Sequence, residues 1–163
     1  MNLPWPRRKP FLSVVVVVYR MAEQAERTLR SLAAAYQRGV REYEYEVVVV
    51  ENRSDQLLGA ARARATGGNV RYFLRDETQR TPVHAINFGA DRARGSHIAI
   101  MIDGARMLSP GVLRLTLDAL GISPHAAVAT PGYHLGSVPQ QQAVDAGYGA
   151  AEEAELLARI AWP

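Results

Sequence analysis

Two stretches decide the fold: Phe11-Leu-Ser-Val-Val-Val-Val-Val-Tyr19 and Glu46-Val-Val-Val-Val-Glu51. Their valine runs are continuous rather than alternating with polar residues, so neither strand has a face to give to water. A strand buried on both faces needs helices on both sides, which defines an α/β architecture with a mostly parallel central sheet. Between the runs, Ala25, Leu29, Leu32 and Tyr36 recur at helical spacing, and Gly39 is the expected stop. The unit reads strand, helix, strand. Tyr43-Glu-Tyr-Glu-Val47 alternates, so the second strand is expected to enter from solvent, and its functional end falls at Glu51.

Working outward, the same unit repeats. A helix is expected over Gln56–Ala65, and Gly67-Gly68-Asn69 then turns into a strand Val70–Leu74. Val83, Ile86, Ala90 and Ala93 mark one face of the next helix, which starts near Pro82 and ends by Gly95 ahead of a strand His97–Ile102. Ser109-Pro110 reads as an N-cap followed by proline at the first helical position, with Leu113, Leu117 and Leu120 as the buried stripe. A fifth strand is expected over Ala126–Tyr133, a long loop over Leu135–Gly149, and a helix over Glu152–Ile160. The organisation is a basic, proline-bearing arm (1–10), a main α/β domain (11–134) and a loop with a terminal helix (135–163). Trp162 and the Leu156-Leu157 pair imply a covering surface, supplied by a second copy of the chain or by an acceptor-side region beyond it.

Composition closes several routes. A chain of 163 residues with 48% apolar content makes one ordinary core. Cysteine is absent, so disulfides, thiolate nucleophiles and Cys-based metal sites are excluded, and any metal must be held by oxygen or histidine. The 19 Lys+Arg against 16 Asp+Glu favour an anionic ligand but form no nucleic-acid tract. No apolar run reaches the roughly 18 residues of a membrane span. Arg7-Arg8-Lys9 before the first valine run imitates a signal peptide. Valines are strand formers, however, and Arg20 occupies the place of a small-residue cleavage site, so a cytoplasmic protein is the expectation. The chain has no Gly-x-Ser-x-Gly elbow and no His-Glu-x-x-His.

In an open α/β sheet, ligands bind beyond the carboxyl ends of the strands where the strand order reverses. Glu51 and Asp103 each terminate a strand there, and acceptor-only carboxylates suit ribose hydroxyls or a base edge. The first turn, Val18-Tyr-Arg-Met-Ala22, has no glycine, so a dinucleotide fingerprint and a Walker loop are both excluded. Side chains or strand-end backbone must then hold a nucleotide, with the diphosphate charge met by metal or arginine.

Phe11–Arg20, Arg30-Ser-Leu, Glu46-Val-Val-Val-Val-Glu-Asn-Arg-Ser-Asp55, His84-Ala-Ile-Asn-Phe-Gly89, Ala93-Arg-Gly95 and Ile98–Asp103 together resemble family 2 glycosyltransferases of the GT-A fold. The family patterns are a strand ending Tyr-Asn, a Ser-Leu helix, Asp-Asn-x-Ser, Ala-x-Asn-x-Gly, Ala-x-Gly and Asp-x-Asp. The resemblance implies a Rossmann-like, three-layer α/β/α core that binds a nucleotide-diphospho-sugar donor and transfers the sugar to an unknown acceptor. It implies a donor site of Val17, Val18, Tyr19, Glu51, Arg53, Arg80, His84, Asn87, Asp103, Gly104 and Ala105. Val17–Tyr19 would flank the base, Glu51 would meet base or ribose, and His84 with Asn87 would shape the floor.

Three departures carry chemical weight. Asp103-Gly104-Ala105 has alanine where the family places its second, metal-binding carboxylate, so Mg²⁺ or Mn²⁺ would be held weakly, through Asp103 and phosphate. Arg80 or Arg106 is the alternative counter-charge. Arg20 replaces the usual asparagine, and Glu51 is one methylene longer than aspartate. An inverting transferase needs a general base, for which Asp145, Glu152 and Glu153 are the acids left downstream, and none is singled out. Asp76-Glu77 ends the third strand as a further acidic pair, and His134 is a lone histidine without a spaced partner. A nucleotide-binding module without turnover and a partial scaffold domain are the rival readings.

Overall fold

The computed structural model describes residues 10–79, 81–102 and 105–162. The valine runs form β1 (Leu12–Val18) and β2 (Tyr45–Asn52), and every residue of both strands is buried. With β3 (Val70–Arg75) and β4 (His97–Met101) they make a parallel four-stranded sheet in the order β3-β2-β1-β4. Val16 pairs with Val49 on one side and with Met101 on the other. Helices α1 (Ala22–Leu32), α2 (Gly59–Ala65), α3 (Val83–Asp91) and α4 (Val112–Leu120) fill the connections. The three-layer Rossmann-like arrangement read from the valines is the one observed.

Strand parity sorts the core. Val14, Val16, Val18, Val47 and Val49 face Ala25, Leu29 and Leu32 of α1 and Leu113 and Leu117 of α4. Val15, Val17, Val48 and Val50 face Ala85 of α3, with Ile86 and Phe88 packed at its edge.

On α3 the expected stripe is displaced. Val83 is 51% exposed, while Ala85 and Gly89 are the buried pair. Small residues are needed there because α3 lies close to the sheet: a Cβ on Gly89 would stand 2.4 Å from a methyl of Val15. A tighter approach occurs at Gly95, whose added Cβ would meet the backbone nitrogen of Ser13 at 2.7 Å. The turn before β4 is held there by buried polar groups. Ser13 Oγ donates to Glu46 Oε1 (2.7 Å) and accepts from Gly95 N (2.9 Å), while Glu46 accepts from Arg94 N (2.6 Å) and Arg71 (3.0 Å).

Several boundaries differ from the sequence reading. α1 stops at Leu32, because Ala33 turns extended (ψ 140°) and buried Gln37 donates back to Ser31 O at 2.7 Å. The second strand does not enter from solvent. Tyr45 is buried with its hydroxyl donating to Leu32 O (2.5 Å), and Glu46 is buried in the network above. The N-cap of α4 is Gly111 (φ 97°), not Ser109, and the capping acceptor comes from elsewhere in the chain: Gln37 Oε1 accepts from Gly111 N (3.1 Å) and Leu113 N (3.3 Å).

No strand forms over 126–133, where Val128 is 41% exposed. Alanines have little β preference, and Pro131 has no amide to pair. The expected long loop contains α5 (Gln140–Asp145), and α6 (Ala150–Arg159) follows.

The chain divides into two compact units, one reaching to Val128 and one starting at Ala129. In the second, Ala143 and Leu157 are buried, His134 meets Tyr148 edge-on at 4.8 Å, and the Trp162 amide donates to Leu157 O. Among the described residues no helix is long and apolar enough to cross a membrane.

The Gly95 contact is with backbone, which cannot swing aside as a side chain can. Gly95→Ala is therefore expected to lower unfolding free energy by about 2 kcal/mol or more, measured by urea denaturation. A variant within about 0.5 kcal/mol of the parent would show that the turn relaxes freely.

Candidate nucleotide-binding site

The sheet's own order locates the site. From β1 the chain adds β2 and β3 on one side and then returns to place β4 on the other, so strand order reverses at β1, and ligands in open α/β sheets sit beyond that point. Val17 and Val18 are buried in β1, whereas Tyr19 emerges 46% exposed just past its end. Arg20 follows with φ 57°, a left-handed conformation that asparagine tolerates better than other residues with a Cβ. Its guanidinium lies 5.5 Å from the Tyr19 ring centroid and 3.1 Å from Asp55 Oδ1.

At the end of β2, adjacent residues take opposite faces and opposite roles. Glu51 is fully buried. Its Oε1 accepts from Leu58 N (2.7 Å), and its Oε2 accepts from Gly59 N (3.0 Å) and the Tyr72 hydroxyl (2.5 Å). The carboxylate thus ties down the start of α2, which is why that helix begins at Gly59 rather than at Gln56. Asn52 points the other way. It is 7% exposed, and its buried Oδ1 has no hydrogen-bond partner among the described residues. An unpaired amide oxygen in such surroundings costs about 1–3 kcal/mol, a cost that the fold itself does not offset among the described residues.

The remaining expected positions are spread around this end of the sheet. Arg53 is ion-paired with Asp76, and its backbone N–H donates to Arg75 O at 2.8 Å. Arg75 also approaches Glu77 at 3.5 Å and donates to His84 O at 2.9 Å. His84 is exposed in the first turn of α3, with its ring 3.0 Å from Gln79 Oε1, and Asn87 is exposed further along that helix. Ala105 and Arg106 are exposed residues of the segment following β4. Arg80, Asp103 and Gly104 lie outside the described residues.

No cluster of three or more His, Asp or Glu able to hold a metal occurs among the described residues. The Ala105 side chain has no donor atom to offer a cation. In the second unit, Asp145 accepts from Gln141 (3.2 Å), and Glu152 and Glu153 occupy the first turn of α6, where the helix dipole favours acids.

Sequence reading missed Asn52, Tyr72, Ser31 and Gln37. Asn52 is detectable by parity, since the residue after Glu51 must face the other way. Gln37 stands out only as a polar residue in the α1 tail.

A parallel sheet covered on both faces, with polar groups gathered beyond its carboxyl ends, defines a Rossmann-like α/β domain of the GT-A kind. The sequence matches the model for glycosyl transferase family 2 over residues 13–145, and the chain belongs to that family. Among solved structures it resembles S. aureus TarS, with TM-score 0.59 and 23% identity, covering 68% of this chain and 19% of that one. It also resembles S. aureus TarS 1-349, with TM-score 0.59 and 23% identity, covering 68% of this chain and 32% of that one. At that identity the likeness speaks for the fold alone. No curated protein matches the sequence.

Burial first, and then the hydrogen bond and charge of Glu51, raise the Tyr72 hydroxyl well above the ordinary tyrosine range. A raised folded-state value means stability that is whole below about pH 10 and is lost as pH climbs toward the folded value. Tyr72→Phe is expected to cost about 1.5–3 kcal/mol at neutral pH and to flatten the alkaline fall in stability. Urea midpoints measured from pH 8 to 11 check this, and parallel curves for parent and variant would contradict it.

Proposed function

We propose that this chain is the donor-binding part of a cytoplasmic family 2 glycosyltransferase, residues 11–134 forming the nucleotide-sugar domain. The supporting observation is the buried Asn52 amide oxygen, unpaired among the described residues, in the last residue of β2, with exposed Tyr19 just past the end of the neighbouring β1. A primary amide offers a donor and an acceptor side by side, which suits the edge of a nucleobase, while exposed Tyr19 provides the apolar wall; Val17 and Val18, expected to flank the base, are buried on opposite faces of β1 and serve it only by fixing the strand end. Glu51 serves this site indirectly by fixing the Arg53–Leu58 loop. His84 and Asn87 line the α3 side of the crevice. Arg53, Arg80 and Arg106 meet the diphosphate charge as planar forks. Asp103 and Gly104 complete the phosphate end, with Asp103 as the one carboxylate for Mg²⁺ or Mn²⁺.

In the reaction proposed, the acceptor hydroxyl oxygen attacks the anomeric carbon of a hexosyl group. The bond from that carbon to the diphosphate oxygen breaks, and inversion follows from attack opposite the leaving group. A general base takes the hydroxyl proton, and the nucleoside diphosphate leaves with the bonding electron pair. Within this protein, the arginines oppose the negative charge that grows on the leaving oxygen.

The second reading, a nucleotide-binding module without turnover, is favoured by Ala105, because the position that would complete a metal site carries only a methyl group. Calorimetric titration with UDP and GDP, with and without Mn²⁺, separates the two. The expected result is binding of one of them, weakened about tenfold in Asn52→Ala and weakened more by Asp103→Ala than by Asp76→Ala. No binding at millimolar concentration would refute both readings, and metal-independent binding without donor hydrolysis would select the module.

A further inference from the structure

Two buried polar side chains do work that neither the helix nor the sheet requires. Ser31 is fully buried and Gln37 is 5% exposed. Ser31 Oγ donates to Thr28 O (2.6 Å) and accepts from the Leu108 amide at 2.9 Å. The amide group of Gln37 is used at both ends. Nε2 donates to Ser31 O (2.7 Å) and Ser109 O (3.2 Å), and Oε1 accepts from the Gly111 and Leu113 amides at 3.1 and 3.3 Å. Four of these contacts join Ser31 in the last turn of α1, or Gln37 just after it, to residues more than 70 positions away, from Leu108 to Leu113.

We propose that Ser31 and Gln37 are positioning residues for the donor's diphosphate: they clamp the 105–111 segment so that Arg106, exposed two residues before the Leu108 contact, is presented at the phosphate end of the site. This rests on the nucleotide-sugar reading above and goes beyond it by assigning work to the Ser-Leu motif. The segment has one fixed end at Met101, where pairing of β4 with β1 stops, and the other at Leu108 on Ser31. Asp103 falls between the two in sequence. Removing either clamp leaves the Leu108, Gly111 or Leu113 amide without its buried acceptor, and an amide in that position must move toward water to be satisfied. The base-side residues are held elsewhere, Tyr19 directly after β1 and Asn52 as the last residue of β2, and neither has a hydrogen bond to this segment among those described. Loss of the clamp therefore separates phosphate recognition from base recognition, which a general loss of stability would not do.

The test compares Ser31→Ala, Gln37→Glu and Ser31→Thr with the parent at a temperature where circular dichroism shows each to be folded. Gln37→Glu keeps an acceptor for Gly111 and Leu113 but loses both donations from Nε2. Calorimetry with UDP or GDP and with the corresponding nucleoside is expected to give about tenfold weaker diphosphate binding in the first two variants, the size of loss typical of groups that orient a ligand contact from behind. Nucleoside affinity should change less than about twofold, and Ser31→Thr, which keeps a hydroxyl, should stay near the parent. Amide hydrogen exchange over 105–111 should quicken about tenfold in Ser31→Ala while β1 and α1 keep their protection. Equal losses for diphosphate and nucleoside, or unchanged diphosphate binding, would overturn the clamp alone. If the parent binds no nucleoside diphosphate, the functional reading falls and this role falls with it, and the exchange data still report whether the segment is clamped. If Ser31→Ala does not fold, Gln37→Glu decides by the same two measurements.

Discussion

The whole structure depends on β1 being enclosed in four directions. Its backbone pairs with β2 on one edge and β4 on the other, and its valines are covered on one face by α1 and α4 and on the other by α3. Burying a valine side chain is worth about 1.5–3 kcal/mol, and this strand and its neighbour β2 hold nine of them in two runs. Once a central strand is committed in this way, the remaining topology has few freedoms. α1 must return along one face to deliver β2, and α3 must cross the other to deliver β4, with right-handed crossovers that leave the strand ends gathered on one side. The reversal of strand order at β1, and with it the place of the site, follows from the same enclosure.

A sheet so apolar needs other means of fixing its loops, and buried polar residues supply them. Glu46 and Glu51 lie on the same strand, five positions apart, and therefore face opposite sides. Glu46 meets Ser13, Arg71 and the Arg94 amide at the amino end, while Glu51 meets Tyr72 and the amides that open α2 at the carboxyl end. Ser31 and Gln37 do the same for the segment after β4. In each case a loop amide is satisfied by a side chain anchored in the core, so the loop position is set by where that side chain is held and not by loop sequence alone. Several motifs that read as ligand-binding thereby acquire a packing explanation. The glycine of Ala93-Arg-Gly95 exists because backbone meets backbone there, and that of Ala85-Ile-Asn-Phe-Gly89 exists because α3 sits on Val15.

The parts of the fold that were legible in the sequence are those set by uniform burial. Continuous valines, the Leu113 and Leu117 stripe and the glycine-bounded turns each correspond to one physical requirement, and the strands and helices up to α4 appear where those requirements place them. What escaped depends on contacts distant in sequence. The end of α1 is decided by Gln37 reaching Ser31 and Gly111, the start of α2 by Glu51, and the α3 face by the closeness of Val15. None of these leaves a periodic trace. Residues 126–133 were misread for the opposite reason, since apolar composition alone, with Pro131 inside, does not make a strand. At the strand ends, residue type alone did not separate Glu51, whose carboxylate the fold consumes, from Asn52, whose amide oxygen is unpaired among the described residues.

That separation bears on how an anion could be received at all. Around the strand ends the arginines are already engaged: Arg20 with Asp55, Arg53 with Asp76, and Arg75 with Glu77. The first two pairs are well exposed on both sides, and exposed pairs are worth about 0–1 kcal/mol each. An incoming diphosphate carries more charge than a single carboxylate and accepts bidentate contacts at several oxygens, so it can displace either acid from its guanidinium at small cost. Glu51 cannot be displaced in the same way, because three donors, one buried and two partly buried, would be left unpaired. In the proposed donor site, replaceable surface pairs would thus lie above a fixed buried carboxylate, a division in which the core keeps its geometry while the rim exchanges partners.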